Sequence, residues 1–164
     1  SDPLPSRPMT SPNPDAVFAS LHQQAAGLCG ARLFTVTVLD RAAGLARRAY
    51  TSHPADYPTS GTKPMRNDGW TDLVLGEKRS FVANSTPEFA IYFSDHAQIN
   101  ALGCESAMNI PVTNDAGIVV ACVNVLDAAG HFTPERIATL EGLVTRNRPA
   151  LLAAIAGVPM DPAS

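Results

Sequence analysis

Three groupings of side chains have the types that do chemistry. Ser94, Asp95 and His96 are a hydroxyl, a carboxylate and an imidazole in succession. Consecutive side chains on a helix diverge, whereas a hydrolase triad must converge in space, so contiguity argues against one here. His53, His96, His131 and Cys104 are metal-ligand types, but none stand at ligand spacing, and no metal is expected. Cys29, Cys104 and Cys122 form no C-x-x-C pair, and their odd number leaves one unpaired in any disulfide scheme.

Binding chemistry is better supplied. Six of the ten aromatic residues, Tyr57, Trp70, Phe81, Phe89, Tyr92 and Phe93, fall between positions 57 and 93. Such a cluster either anchors loops over a sheet or lines a pocket. Asn109 and Asn124 sit in apolar strands, where each amide must find neighbouring backbone or a ligand. Arg48, Tyr50 and Ser52 near the end of a strand offer further polar contacts, and His96 is either a ligand-facing donor or a partly buried histidine.

The elements that must position these groups are readable in outline. Asn13 caps a helix that opens with Pro14 and Asp15, carries Val17, Leu21, Ala25 and Leu28 at helical spacing, and stops at Gly30. Leu33 to Leu39 alternates as a strand, the turn 40–44 has hairpin chemistry, and Leu45 to Thr51 returns. Residues 52–79 lack sustained periodicity apart from a short helix expected over Gly69 to Leu75, with Trp70, Leu73 and Val74 on one side. A short strand over Ser80 to Ala83 and a helical stretch over 88–102, with Phe89, Phe93, His96 and Ile99 three or four apart, follow. Two strong strands, Ser106 to Thr113 and Gly117 to Leu126, come next, the second apolar on both parities as a central strand should be. Thr133 caps a final helix running to about Ala156, interrupted at Pro149. This order is α+β: an antiparallel sheet with terminal helices on one face and long connections over the other, a pocket lying beneath connections 52–79 and 84–105.

The chain of 164 residues fits one domain, with 45% apolar and 16% charged residues and a net charge of −3. Proline-rich residues 1–12 and the tail 158–164 are expected to be disordered around a single domain at 13–157. No Lys/Arg run supports nucleic-acid binding, and no apolar run approaches a membrane span. No basic-then-apolar leader opens the chain, so a reduced, cytoplasmic setting is expected. Ile137, Leu140, Val144, Asn147, Leu151 and Ala154 step by three and four; the stripe either packs on the sheet or forms a two-helix seam.

The segment Leu102-Gly-Cys-Glu-Ser-Ala-Met-Asn-Ile-Pro-Val112 resembles the small-residue, then N-x-P-V, strand of GAF domains. Val119 to Leu126 is similar to that family's next strand, and Phe132-Thr-Pro-Glu135 to its entry into the last helix. The resemblance implies a GAF/PAS-like fold with a six-stranded antiparallel sheet, and a small-molecule pocket with a sensory or regulatory role. It also implies a homodimer formed through terminal helices, signalling by dimerisation or to a separate output partner. No cofactor is implied: the cyclic-nucleotide signature lacks its Lys and paired acid over Asn84 to Asp95, and the bilin C-H dipeptide is missing at Cys104. The pocket is expected to draw on Tyr50, Ser52, Trp70, Phe81, Tyr92, Phe93, His96, Ile99, Cys104, Glu105, Asn109 and Asn124. Two alternatives compete with this non-catalytic sensor. One is an enzyme similar to the free methionine-(R)-sulfoxide reductases, with Cys104 as nucleophile and Glu105 holding substrate, although isoleucine stands where that branch has its cysteine in H-I-A-C. The other is a pocketless dimerisation module, whose interior beneath Trp70 and Phe93 would be collapsed.

Overall fold

The computed structural model of the protein describes residues 13–161; the expected disordered segment 1–12 and residues 162–164 lie outside the described residues. Six antiparallel strands form one sheet in the order β3-β2-β1-β6-β5-β4. They are β1 (Leu33–Asp40), β2 (Leu45–Thr51), β3 (Lys63–Pro64), β4 (Phe81–Ala83), β5 (Ser106–Thr113) and β6 (Val119–Asp127). The order matches the α+β arrangement read from the sequence, with β6 central and buried on both faces. Two-residue β3, too short for any period to show, was not legible.

One face of the sheet carries three helices: α1 (Pro14–Cys29), α5 (Pro134–Arg146) and α6 (Arg148–Ala156). The Asn13 side chain accepts from Asp15 N, and Gly30 ends α1 at a positive φ of 78°, where a side chain would be strained. The inward face of α1 is Phe18, Leu21 and Ala25, while Leu28, expected in the apolar stripe, is 57% exposed at the last turn. Phe18 instead reaches the sheet, where its ring meets that of Tyr50. Leu140, Val144, Leu151 and Ala154 pack into the same core against Phe34, Val36, Met108, Ile110 and Val123. The terminal stripe is therefore used within the chain. The break between α5 and α6 falls at Asn147, two residues before Pro149, because a proline has no N–H to continue the helical hydrogen bonds and its ring crowds the preceding turn, whereas it is tolerated in the first turn of a new helix.

The opposite face is covered by short pieces. Helix α2 (Gly69–Thr71), capped by Asp68, runs into a wide π-type turn (Asp72–Gly76), so the single helix expected over 69–75 is split. The helical stretch expected over 88–102 is also two helices, α3 (Thr86–Ala90) and α4 (His96–Ala101). Helical spacing of Phe89, Phe93 and His96 is compatible with one helix, but Asp95 in the intervening turn is drawn to Tyr57 on the other connection and Arg48 on β2. The tail is tied down as far as it is described: Arg47 donates to the Pro159 carbonyl (2.8 Å), and Thr62 to that of Asp161 (2.7 Å). No helix among the described residues is long and apolar enough to cross a membrane.

Candidate functional site

Between the sheet and these short pieces lies a cavity of about 480 Å³. Its floor is made by the strand positions that face away from the helices. On β1 these are Thr35, Thr37 and Leu39, on β5 Asn109, and on β6 Cys122, Asn124 and Leu126. Strand alternation sends their neighbours to the helix-side core, so every second residue of the same strands builds the site.

The floor is one hydrogen-bonded chain. Trp70 Nε1 donates to Asn109 Oδ1 (2.8 Å), and Asn109 Nδ2 donates to Asn124 Oδ1 (2.7 Å). Asn124 Nδ2 then donates to Thr35 Oγ1 (3.0 Å) and Thr37 Oγ1 (3.2 Å). The strand register places Asn109 opposite Asn124, and Asn124 opposite Thr35. Among the described residues no buried side-chain nitrogen or oxygen lacks a partner, so these polar groups stand in an apolar layer without a desolvation penalty left open.

The rim is charged. Arg48 lies with its guanidinium carbon 3.7 Å from the centre of the Tyr57 ring, donates to the Pro58 carbonyl (3.0 Å) and sits 3.6 Å from Asp95. The Tyr57 hydroxyl donates a short hydrogen bond to the same carboxylate. Burial and that bond push the Tyr57 hydroxyl well above its ordinary value, so it stays a donor. Arg66 donates to the Tyr92 carbonyl and lies over the Trp70 and Phe93 rings, 5.3 and 5.9 Å from their centres. Arg47 and Lys63 complete the basic side, and Met65, Leu75 and Ile99 the apolar one.

Of the residues expected in the pocket, Trp70, Phe93, Ile99, Asn109 and Asn124 line the cavity. Phe81 and Tyr92 stand behind them: the Phe81 ring meets Tyr92 at 5.7 Å and Phe93 at 6.0 Å and so anchors the lid. Tyr50 and Ser52 do not reach it. Arg48 and Tyr50 have the same parity, yet β2 bulges so that Thr37 pairs with Arg48 while Val36 pairs with Tyr50. The extra residue turns Tyr50 onto the helix side, where its hydroxyl meets His22 Nδ1 (3.2 Å). Ser52 accepts from Phe34 N (2.9 Å) and bonds His53 (2.8 Å). His96 turns back onto the Phe93 carbonyl (2.8 Å), and Glu105 is exposed at the start of β5.

Cys104 is fully buried away from the cavity, and burial and Asp127 push its thiol up to about 11. Cys122 does border the floor, but burial pushes its thiol up to about 12. A nucleophilic cysteine needs the reverse, a thiolate favoured by cationic surroundings and exposed to substrate. No disulfide links the three cysteines, and no three His, Cys, Asp or Glu side chains gather among the described residues. Sequence reasoning missed Thr35, Thr37 and Asp95 as lining residues. The alternation of Thr35 and Thr37 with Phe34, Val36 and Val38 was the available signal.

Compared with known proteins, the chain matches no family model and no curated sequence. Solved structures do match. A GAF domain/HD domain protein from Geobacter sulfurreducens superimposes with a TM-score of 0.70 at 11% identity, over 88% of this chain and 95% of that one. The GAF domain of a two-component sensor histidine kinase from Bacillus halodurans gives 0.67 at 11% identity, over 84% and 92%. The GAF-B domain of DevS from Mycobacterium smegmatis gives 0.61 at 17% identity, over 88% and 96%. At such identities the likeness is one of fold, and it agrees with the sheet order, helix layer and lid described above.

Proposed function

Starting from the GAF-domain fold, we propose that this protein is a non-catalytic sensory or regulatory domain that binds a small molecule between its sheet and its lid. The observation that carries the reading is the cavity of about 480 Å³, open beneath Trp70 and Phe93 and floored by the Asn109–Asn124 amide chain. A pocketless module would have filled that space with side chains. A reductase would have brought a low-pKa thiol to it, and neither cysteine nearest the site has that character. The volume lies within the roughly 300–1,000 Å³ of small-molecule sites, and apolar walls with a few fixed polar groups are what such sites use.

Signal output would pass through the lid, whose pieces are short, to the helix layer or a separate partner. A homodimer through the terminal helices, in a cytoplasmic setting, belongs to the same reading. Its contact would use outer faces, because the inward stripe is core. Sedimentation of the purified chain tests the dimer.

Ligand binding is tested by native mass spectrometry and by thermal melting with the small-molecule fraction of a cell extract. The expected result is a mass increment lost on denaturation, or a raised Tm, in the native chain but not in Thr37→Phe, which fills the floor. No increment and no rise in the native chain would overturn the reading.

A further inference from the structure

The chain carries 15 acidic and 12 basic residues, yet the cavity reverses that balance. Arg48, Lys63 and Arg66 border it, the Arg47 guanidinium being turned away to the Ser60 and Pro159 carbonyls; Asp95 is the one acid among the lining residues, and Asp68 stands 3.8 Å from Arg66. The floor is donor-rich as well. Thr35 and Thr37 each accept an N–H from Asn124 and have no other side-chain partner among the described residues, so each keeps its own O–H to give. Asn109 Nδ2 spends one of its two protons on Asn124 and retains the other. Guanidinium, ammonium, hydroxyl and amide donors thus converge on one space whose remaining wall is apolar.

Resting on the small-molecule reading above, we propose that the ligand is an organic oxyanion with an apolar body, and that Asp95 is the internal carboxylate it displaces from Arg48. Asp95 occupies the turn between α3 and α4, and the Arg48 guanidinium is bound to it at 3.6 Å, longer than a close charge-assisted hydrogen bond. A ligand carboxylate, sulfonate or phosphate aligned on Arg48 improves on that geometry, while its body lies against Trp70, Phe93 and Ile99. Asp95, released from Arg48, frees its turn from β2 and leaves the Tyr57 hydrogen bond as its remaining tie to the 52–79 connection. Occupancy is thereby converted into freedom of the lid.

The test uses two dyes with the same aromatic skeleton, 1-anilinonaphthalene-8-sulfonate and the uncharged N-phenyl-1-naphthylamine. Trp70 is the only tryptophan, so energy transfer from it reports bound dye, and loss of that transfer in the cavity-filling Thr37→Phe places the dye at the cavity. The expected result is a sulfonate Kd about tenfold or more below that of the neutral dye. Arg48→Gln should remove that preference, and Asp95→Asn, which keeps an acceptor for Tyr57 but removes the competing charge, should tighten the sulfonate about threefold or more. The neutral dye should move less than about twofold in either variant. If Arg48→Gln does not fold, Asp95→Asn decides alone, by its opposite sign. Equal affinities, or variants that shift both dyes alike, would overturn the anion while leaving a small-molecule site intact. No transfer from Trp70 to either dye would overturn both.

Discussion

The two faces of the sheet are built from the same strands and do opposite things. On the helix side, Phe34, Val36, Val38, Met108, Ile110, Val112, Ala121, Val123 and Val125 are all apolar and meet long helices. On the lid side, the alternating positions include Thr35, Thr37, Asn109 and Asn124, and what covers them is a three-residue helix, the π-type turn after it and two short helices. A long amphipathic helix presents a continuous ridge and can fill a face to crystal-like density. Short pieces held by separate aromatic anchors such as Phe81 and Phe89 cannot, and a cavity remains. Continuous helix packing thus lies on one face and the cavity on the other.

The largest test of that contrast is Phe18→Ala. Phe18 is completely buried in the helix-side core, and its loss should cost about 3–5 kcal/mol in urea unfolding. Asn124→Ala, at the centre of the other face, should cost less, about 1–3 kcal/mol, because it takes the acceptor from Asn109 Nδ2 and the donor from two hydroxyls beside an open space. It should also shift Trp70 emission, since Trp70 Nε1 is fixed by Asn109. If Asn124→Ala proved as costly as Phe18→Ala, the division of labour between the faces would fail.

Titration separates the faces at the acid edge only, because burial raises Cys29 and Tyr50 on the helix side as well as the lid-side groups. Cys104, Cys122 and Tyr57 all belong to the lid-side core, and burial raises each above its ordinary value of 9.0, 9.0 and 10.0. The unfolded chain therefore loses these protons first, and stability falls as pH rises above 9.0. Urea midpoints measured across that range should decline, and Cys122→Ala should flatten the slope. The helix side contributes the acid edge. His22, stacked on Phe34 and bonded to Tyr50, is lowered from 6.5 by burial and by His53. The unfolded chain takes up that proton first, so stability is complete above 6.5 and declines as pH falls below it. This is the smallest expected effect, and His22→Gln should remove it.

Much of this was legible from residue order. Asn13 and Thr133 announced their helices because a cap acts locally, and the strand pairs around Gly44 and Gly117 announced theirs because turn chemistry and alternation lie within a few residues. The apolar double parity of β6 already placed it at the centre of the sheet. Trp70, Phe93, Ile99, Asn109 and Asn124 could be named as lining residues because large aromatics in loops and amides in apolar strands both demand a tertiary partner.

What the sequence by itself determined is the set of elements, their amphipathic faces and the existence of a lid, since each rests on interactions between residues a few positions apart. Only the tertiary structure decided that a bulge in β2 separates Tyr50 from Arg48, and that Asp95 breaks the 88–102 helix to reach Tyr57 and Arg48. It also decided that the terminal stripe is core rather than seam, and that Arg48, Lys63 and Arg66 of a net acidic chain border one cavity. These outcomes depend on contacts between residues distant in the chain, whose energies exceed the local preferences they override and leave no period or spacing behind.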